Sequence, residues 1–182
     1  MSTGPEDILN FWFMEIGPDR WFEPDAGLDM LVRAKFLEIH EQTARGGMKK
    51  WEETPEGMLA LILLLDTFPR RMFRGTPRAY ATDEMALELA RTAIISHFDD
   101  RIDRSFKLFF YLPFEHSEQP GNQRLSVYYV RERTKEPRWV DRAEWHSSVI
   151  QCFGRFPHRN AILGRESTPE EIDFLAQEGK AR

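Results

Sequence analysis

The chain has 182 residues, of which 41% are hydrophobic and 30% charged, with a net charge of −5 and a single cysteine. This composition excludes a disordered chain, and the lone Cys152 excludes an internal disulfide or an all-cysteine zinc site. The longest apolar run, 58–65, is far shorter than the ~20 residues of a membrane span, and no basic stretch precedes the first apolar residues. We therefore expect one cytoplasmic domain over residues 1–182, with no membrane segment.

Apolar residues three and four positions apart predict helices along nearly the whole chain. Thr54 and Thr168 are each followed by proline, a typical helix start, whereas Pro69 and Pro113 predict helix ends. Short turns between the helices indicate an all-α fold of about eight helices packed as antiparallel pairs. The predicted helices cover residues 6–14, a stretch from Asp25 or Asp29 to the glycines at 46–47, then 55–67, 83–98, 106–112, 123–133, 137–153 and 169–177.

The positive charge is concentrated in two short segments. Residues 66–78 and 153–165 each carry a net +3, which leaves −11 for the rest of the chain. The acidic total argues against nucleic-acid binding. The two arginine-rich segments have two interpretations: charges that offset helix dipoles, or a local site for an anion.

Three segments, 63–71, 110–118 and 153–165, each run from an apolar helix into a proline and then polar side chains. This pattern predicts that polar groups from three helix ends line one pocket. The alternative for Asp66 is a structural ion pair that ties helix ends together, and for His146 a hydrogen-bonded core position. The candidate ligand-binding residues are Asp66, Arg70, His146, Arg155, His158, Arg159 and Asn160.

His116 and Glu118 are the candidate catalytic residues, because a carboxylate beside an imidazole makes the imidazole a better general base. The alternative is a structural role for His116, hydrogen-bonded to a carbonyl group. The sequence contains no H-E-x-x-H motif, no phosphate-binding loop and no dinucleotide-binding motif, so we predict no metal and no cofactor.

The segments LLLDTFPR, FYLPFEHSE and FGRFPHRNAILGR resemble signature segments of bacterial domain-of-unknown-function family 924. The resemblance extends in order over nearly the whole chain, and it implies a bacterial all-α protein with a tetratricopeptide-like, right-handed superhelical array. No activity is established for this family. The chain departs from the usual D-Q-F-P-R-N pattern at Thr67 and Arg71, which stand where glutamine and asparagine are typical.

Three functional hypotheses are consistent with the sequence. The first is a helical domain that binds a small anionic ligand or a peptide terminus in the predicted pocket. The second is a hydrolase-type enzyme in which His116 is the general base, oriented by Glu118, and arginines stabilise negative charge. The third is a protein-interaction scaffold whose polar motifs only lock helix ends together. The sequence leaves the oligomeric state open.

Overall fold

The computed structural model describes the backbone of residues 3–181 and the side chains of residues 3–178. All regular secondary structure in this part of the chain is helical, which confirms the all-α prediction. The α-helices are α1 (Pro5–Leu9), α2 (Ala26–Ala44), α3 (Pro55–Ile62), α4 (Phe68–Met72), α5 (Asp83–Ile95), α6 (Leu108–His116), α7 (Pro120–Tyr129), α8 (Pro137–Phe153) and α9 (Pro169–Ala181). Turns of π-helix extend α1 over Asn10–Ile16 and α7 over Val130–Thr134, and a third joins α3 to α4 over Leu63–Thr67.

Two of the predicted helix starts are visible as side-chain caps. The Asp25 carboxylate accepts a hydrogen bond of 2.9 Å from the backbone amide of Leu28, at the start of α2. The Thr54 hydroxyl accepts one of 3.1 Å from the amide of Gly57, and Pro55 takes the first position of α3. These caps satisfy amide groups that have no partner inside the helix, which is why local sequence predicts the starts well.

The predicted helix ends at Pro69 and Pro113 are wrong. Helix α6 passes through Pro113 and ends at His116, three residues later. Helices α3 and α4 form one continuous rod through the π-helical turn, with Pro69 near the start of α4. Counted as rods, the described residues therefore form eight helices, in agreement with the predicted number.

The π-helical turn exists because the chain accommodates one extra residue between α3 and α4. The Phe68 amide donates to the carbonyl of Leu63 rather than to that of Leu64. The Leu64 carbonyl instead accepts a hydrogen bond of 2.9 Å from Nδ1 of His40 on α2. A side chain from another helix thus replaces the missing backbone bond, as a buried carbonyl requires.

Pro69 leaves a second carbonyl without its helical partner, because proline has no amide hydrogen. That carbonyl belongs to Leu65, and it accepts a hydrogen bond of 2.6 Å from the Thr82 hydroxyl. The next carbonyl, of Asp66, accepts one of 2.6 Å from Arg70. The rod therefore continues through the proline because side chains supply the missing donors.

Helix α3 is central, and it packs against α1, α5 and α6. Helix α2 packs on α4. Helix α5 packs on α6, α6 on α7, and α7 on α8. One core joins these rods, and its aromatic centre contains Phe11, Trp12, Phe36, Phe68 and Phe109. Among the described residues, no helix is both long and apolar enough to cross a membrane. The tetratricopeptide-like superhelical arrangement stays a prediction.

Candidate functional site

The three segments predicted from sequence meet around one cavity of ≈ 400 Å³. The α3–α4 rod contributes Arg70, the last residue of α6 contributes His116, and the turn Pro157–Arg159 after α8 contributes His158 and Arg159. His146 of α8 also lines the cavity. The other lining residues are Arg74, Gly75, Ala79, Tyr80 and Ile162.

An aspartate–histidine pair lies at the wall of this cavity. Nδ1 of His116 is 2.8 Å from Oδ1 and 3.0 Å from Oδ2 of Asp66. Asp66 is fully buried, in the π-helical turn, while the His116 residue is 8% exposed. Both hydrogen bonds of the imidazole use Nδ1, so the geometry has Nδ1–H donating to the carboxylate and directs Nε2 away from it.

Burial lowers the pKa of His116 well below its usual value, and the positive charge of Arg70 lowers it further. Burial raises the pKa of Asp66, while the guanidinium groups of Arg70 and Arg159 oppose that rise. The pair therefore places a neutral imidazole at the cavity wall at pH 7. A neutral imidazole has a lone pair on one nitrogen and is available as a base or a nucleophile.

Arg70 links the fully buried Asp66 to a second, partly buried carboxylate, that of Asp83. Its two terminal nitrogens donate parallel hydrogen bonds of 2.9 and 2.8 Å to Asp83, and Nη1 is also 3.2 Å from Oδ1 of Asp66. Burial raises the pKa of Asp83, and the charge of Arg70 opposes the rise. The cation thus compensates two acids at once, and it fixes the end of α4 against the start of α5.

Arg159 also lines the cavity, with its guanidinium carbon 4.6 Å from the ring centroids of both Tyr80 and Phe156. Its Nη2 donates a hydrogen bond of 2.9 Å to the carbonyl of His116. Nη1 is 3.6 Å from the Asp83 carboxylate, and Nε is buried with no hydrogen-bond partner among the described residues. Arg159 is thus a buried cation whose hydrogen-bonding capacity is only partly used.

A further carboxylate, that of the fully buried Glu115, lies behind the cavity. It is 3.1 Å from Nε of Arg142 and 3.2 Å from Nδ1 of His146. Neither carboxylate oxygen of Glu115 has a hydrogen-bond partner among the described residues, so neither contact is a hydrogen bond. Nδ1 of His146 instead donates a hydrogen bond of 2.9 Å to the Arg142 carbonyl. Burial lowers the pKa of His146, so this second imidazole is also neutral at pH 7.

Glu118 does not orient His116, contrary to the pairing expected from sequence. Its carboxylate accepts a hydrogen bond of 2.8 Å from the amide of Phe156 and pairs with Arg165 at 2.8 Å. Asp66, which is 50 residues away in the chain, takes the predicted place of Glu118. The reason is that His116 ends α6, after which the chain turns away before Glu118.

Two other predicted ligand-binding residues hold the last helix in place instead of facing the cavity. Arg155 donates hydrogen bonds of 2.6 and 2.8 Å to the Glu171 carboxylate on α9. The amide nitrogen of Asn160 bonds to Glu171 and to the Ser167 hydroxyl, at 3.1 and 3.0 Å. These contacts fit the structural alternative for the polar motifs.

Two residues that depart from the family pattern, Thr67 and Arg71, line a smaller cavity of ≈ 140 Å³. This cavity shares Arg70, Arg74 and His116 with the first. Arg71 also holds the segment before α2 by donating to the carbonyls of Arg20, Trp21 and Glu23 and pairing with Asp29.

Sequence reasoning missed several residues of the site: Tyr80, Asp83, Arg74, Glu115 and Arg142. Asp83 was predicted only as the start of the helix over residues 83–98. Its partnership with Arg70 depends on how α4 meets α5, which local spacing does not encode. No group of three or more His, Cys, Asp or Glu side chains in the described part of the chain is arranged to hold a metal ion.

The fold and the site define an all-α protein in which three helix ends enclose a cavity rich in arginine and histidine. The chain belongs to the family described as "Bacterial protein of unknown function (DUF924)", whose model matches residues 8–179. It is similar to a solved protein of unknown function from Agrobacterium tumefaciens, with 41% identity over 95% of this chain and 97% of that one and a TM-score of 0.91. No curated protein matches it significantly.

Proposed function

We propose that the cavity binds a small molecule through a phosphate or carboxylate group. The observation that carries the proposal is Arg159, a buried guanidinium that lines the cavity and whose Nη1 comes no closer than 3.6 Å to the Asp83 carboxylate. A guanidinium fork matches the oxygens of a phosphate or carboxylate, and a partly buried cation attracts an anion more strongly than an exposed one.

The dimensions of the cavity support this proposal. Its volume of ≈ 400 Å³ falls within the usual range for small-molecule sites. Arg70 and Arg74 also line it, although each already has a carboxylate partner, Asp83 and Asp29 respectively. Arg159 is therefore the group with most to gain from an incoming anion.

The scaffold hypothesis accounts for only part of the motifs. Arg155 and Asn160 lock α9 in place as that hypothesis predicts. Arg159, by contrast, donates to a helix-end carbonyl through Nη2, while its Nη1 comes no closer than 3.6 Å to a carboxylate, and the residue lines the cavity. This difference favours ligand binding. The carboxylate of a peptide terminus has the same chemistry as a small carboxylate, so the two sources must be separated by experiment.

Thermal unfolding with added anions tests the proposal. Sodium phosphate at about 100 times its Kd should stabilise the protein by about 2.7 kcal/mol, which corresponds to a rise in Tm of roughly 5–10 °C. Sodium chloride at the same ionic strength should give little shift. Acetate, and a short peptide with a free or an amidated C-terminus, then distinguish phosphate, small carboxylates and peptide termini.

Arg159→Gln should abolish the shift, because it removes the fork while leaving a neutral polar side chain. Arg138→Gln is the matched control, since Arg138 has a side chain that is 89% exposed and does not line the cavity. Equal phosphate shifts in the wild type and both variants would contradict the proposal.

A further inference from the structure

We propose that Nε2 of His116 accepts a phosphoryl group, so that this side chain is the nucleophile of a phosphoryl-transfer site. This inference rests on the proposed function, since it requires a phosphate-bearing ligand in the cavity. It assigns the ligand to the phosphate esters or anhydrides and gives the aspartate–histidine pair a chemical role.

The contents of the cavity favour a histidine as the nucleophile. Among the described residues, its lining includes no serine, threonine or cysteine, and its candidate nucleophiles are the phenol of Tyr80 and three imidazoles. A phenol must lose a proton before it attacks, whereas a neutral imidazole already presents a lone pair. Nδ1 of His116 is hydrogen-bonded to the Asp66 carboxylate, whereas Nδ1 of His146 is hydrogen-bonded to a backbone carbonyl.

Asp66 is placed to stabilise the product of that attack. When Nε2 bonds to phosphorus the imidazole ring becomes a cation, and the carboxylate lies 2.8 Å and 3.0 Å from its Nδ1–H. The carboxylate is fully buried, where such a charge contact is stronger than in water. Asp66 acts through His116, so it is a positioning residue.

The arginines are placed to offset the charge on the transferred group. Arg70 contacts Asp66 at 3.2 Å, and Arg159 donates to the backbone carbonyl of His116 at 2.9 Å. Both guanidinium groups line the same cavity as the His116 ring. Cations fixed in this way stabilise the equatorial oxygens of a phosphoryl group in the transition state.

The phosphoryl transfer changes no oxidation state, so it needs no oxidant or reductant. The Nε2 lone pair forms the N–P bond as the bond from phosphorus to the leaving oxygen breaks, and that oxygen takes a proton from solvent water. The other ring proton stays on Nδ1 of His116, hydrogen-bonded to the Asp66 carboxylate. Water then attacks phosphorus and breaks the N–P bond, which releases dihydrogen phosphate and restores the neutral ring.

Phosphoramidate tests this step directly, because it transfers its phosphoryl group to imidazole and releases ammonia. The full-length protein is incubated with potassium phosphoramidate near pH 7, and the labelled position is located by peptide mass mapping. We expect one acid-labile phosphoryl group on His116, formed on the order of tenfold or more faster than on His97. His97 is the internal control because its side chain is 75% exposed and lies away from the cavity.

Two variants complete the experiment. His116→Gln should lose the label, and His97→Gln should keep it. Asp66→Asn should lower the labelling rate at saturating phosphoramidate while the half-saturating concentration stays the same, a result that a purely structural role would not give. The wild-type mapping stands alone if the Asp66 variant does not fold.

Failure of this inference is distinguishable from failure of the proposed function. If phosphate raises the Tm but phosphoramidate labels only His97, or His116 no faster than His97, the inference is overturned and ligand binding stands. If phosphate gives no Tm shift but acetate or the peptide with a free C-terminus does, the inference is overturned and ligand binding stands. If none of these anions gives a shift, both are overturned. Turnover of 4-nitrophenyl phosphate without any label on His116 would make the imidazole a base, and would also overturn its role as nucleophile.

Discussion

Replacing Arg70 with methionine is expected to lower the free energy of unfolding by about 3–5 kcal/mol at pH 7. Arg70 holds the Asp83 carboxylate with two hydrogen bonds and contacts the fully buried Asp66 carboxylate at 3.2 Å. Methionine fills similar space but leaves both acids without their main cation. Chemical denaturation of the two proteins measures the difference.

The loss caused by Arg70→Met should shrink as the pH falls. Burial raises the folded-state pKa values of Asp66 and Asp83 above their usual values, and removal of the cation raises them further. The folded state of the variant then binds protons at a pH where the unfolded chain does not, so lowering the pH through these raised pKa values restores stability.

Arg131→Met is the matched control for this prediction. Arg131 pairs with Glu144 at the surface, with side chains that are 53% and 49% exposed, so its loss should cost at most about 1 kcal/mol. An equal loss in the two variants, or a loss for Arg70→Met that does not change with pH, would contradict the role of Arg70 as the cation that compensates both Asp66 and Asp83.

Phe68→Ala is expected to cost about 3–5 kcal/mol, the usual cost of removing a fully buried aromatic ring. Phe68 directly follows the π-helical turn, and its ring centroid lies 5.0 Å from that of Phe36 and 5.3 Å from that of Trp12. Because these rings come from three different rods, alanine leaves a cavity that no one helix can close. Urea unfolding gives the free-energy change.

Phe22→Ala provides the comparison, since Phe22 is 42% exposed and alanine there should cost about 1 kcal/mol or less. If both variants lose similar stability, Phe68 is not the junction of the aromatic core that its contacts indicate.

Helix starts could be predicted from sequence because their causes are local. Asp25 and Thr54 cap amides only three residues ahead of them. The predicted end at Pro69 failed because its cause is not local. The Thr82 hydroxyl, from beyond α4, supplies the hydrogen bond that proline cannot make. The sequence shows that a backbone hydrogen bond is lost at Pro69, but it does not show which side chain donates to the Leu65 carbonyl instead.

The candidate site could be predicted in part for the same reason. Polar residues after helix ends indicated His116 and Arg159, and both line the cavity. Nearness in sequence predicts Glu118 as the partner of His116. In the folded chain the partner is Asp66, and Glu118 bonds to the Phe156 amide. Pairing between residues on different rods depends on packing, and the spacing of apolar residues within one helix does not determine it.

The most direct test of the central claim, that this cavity binds an anion, is a crystal structure of the protein grown with saturating sodium phosphate. We expect one phosphate in the cavity, within ~2.7–3.2 Å of a nitrogen of Arg159 and of Nε2 of His116. A cavity that contains only water, with phosphate bound elsewhere on the surface at the concentration that saturates the thermal shift, would contradict it.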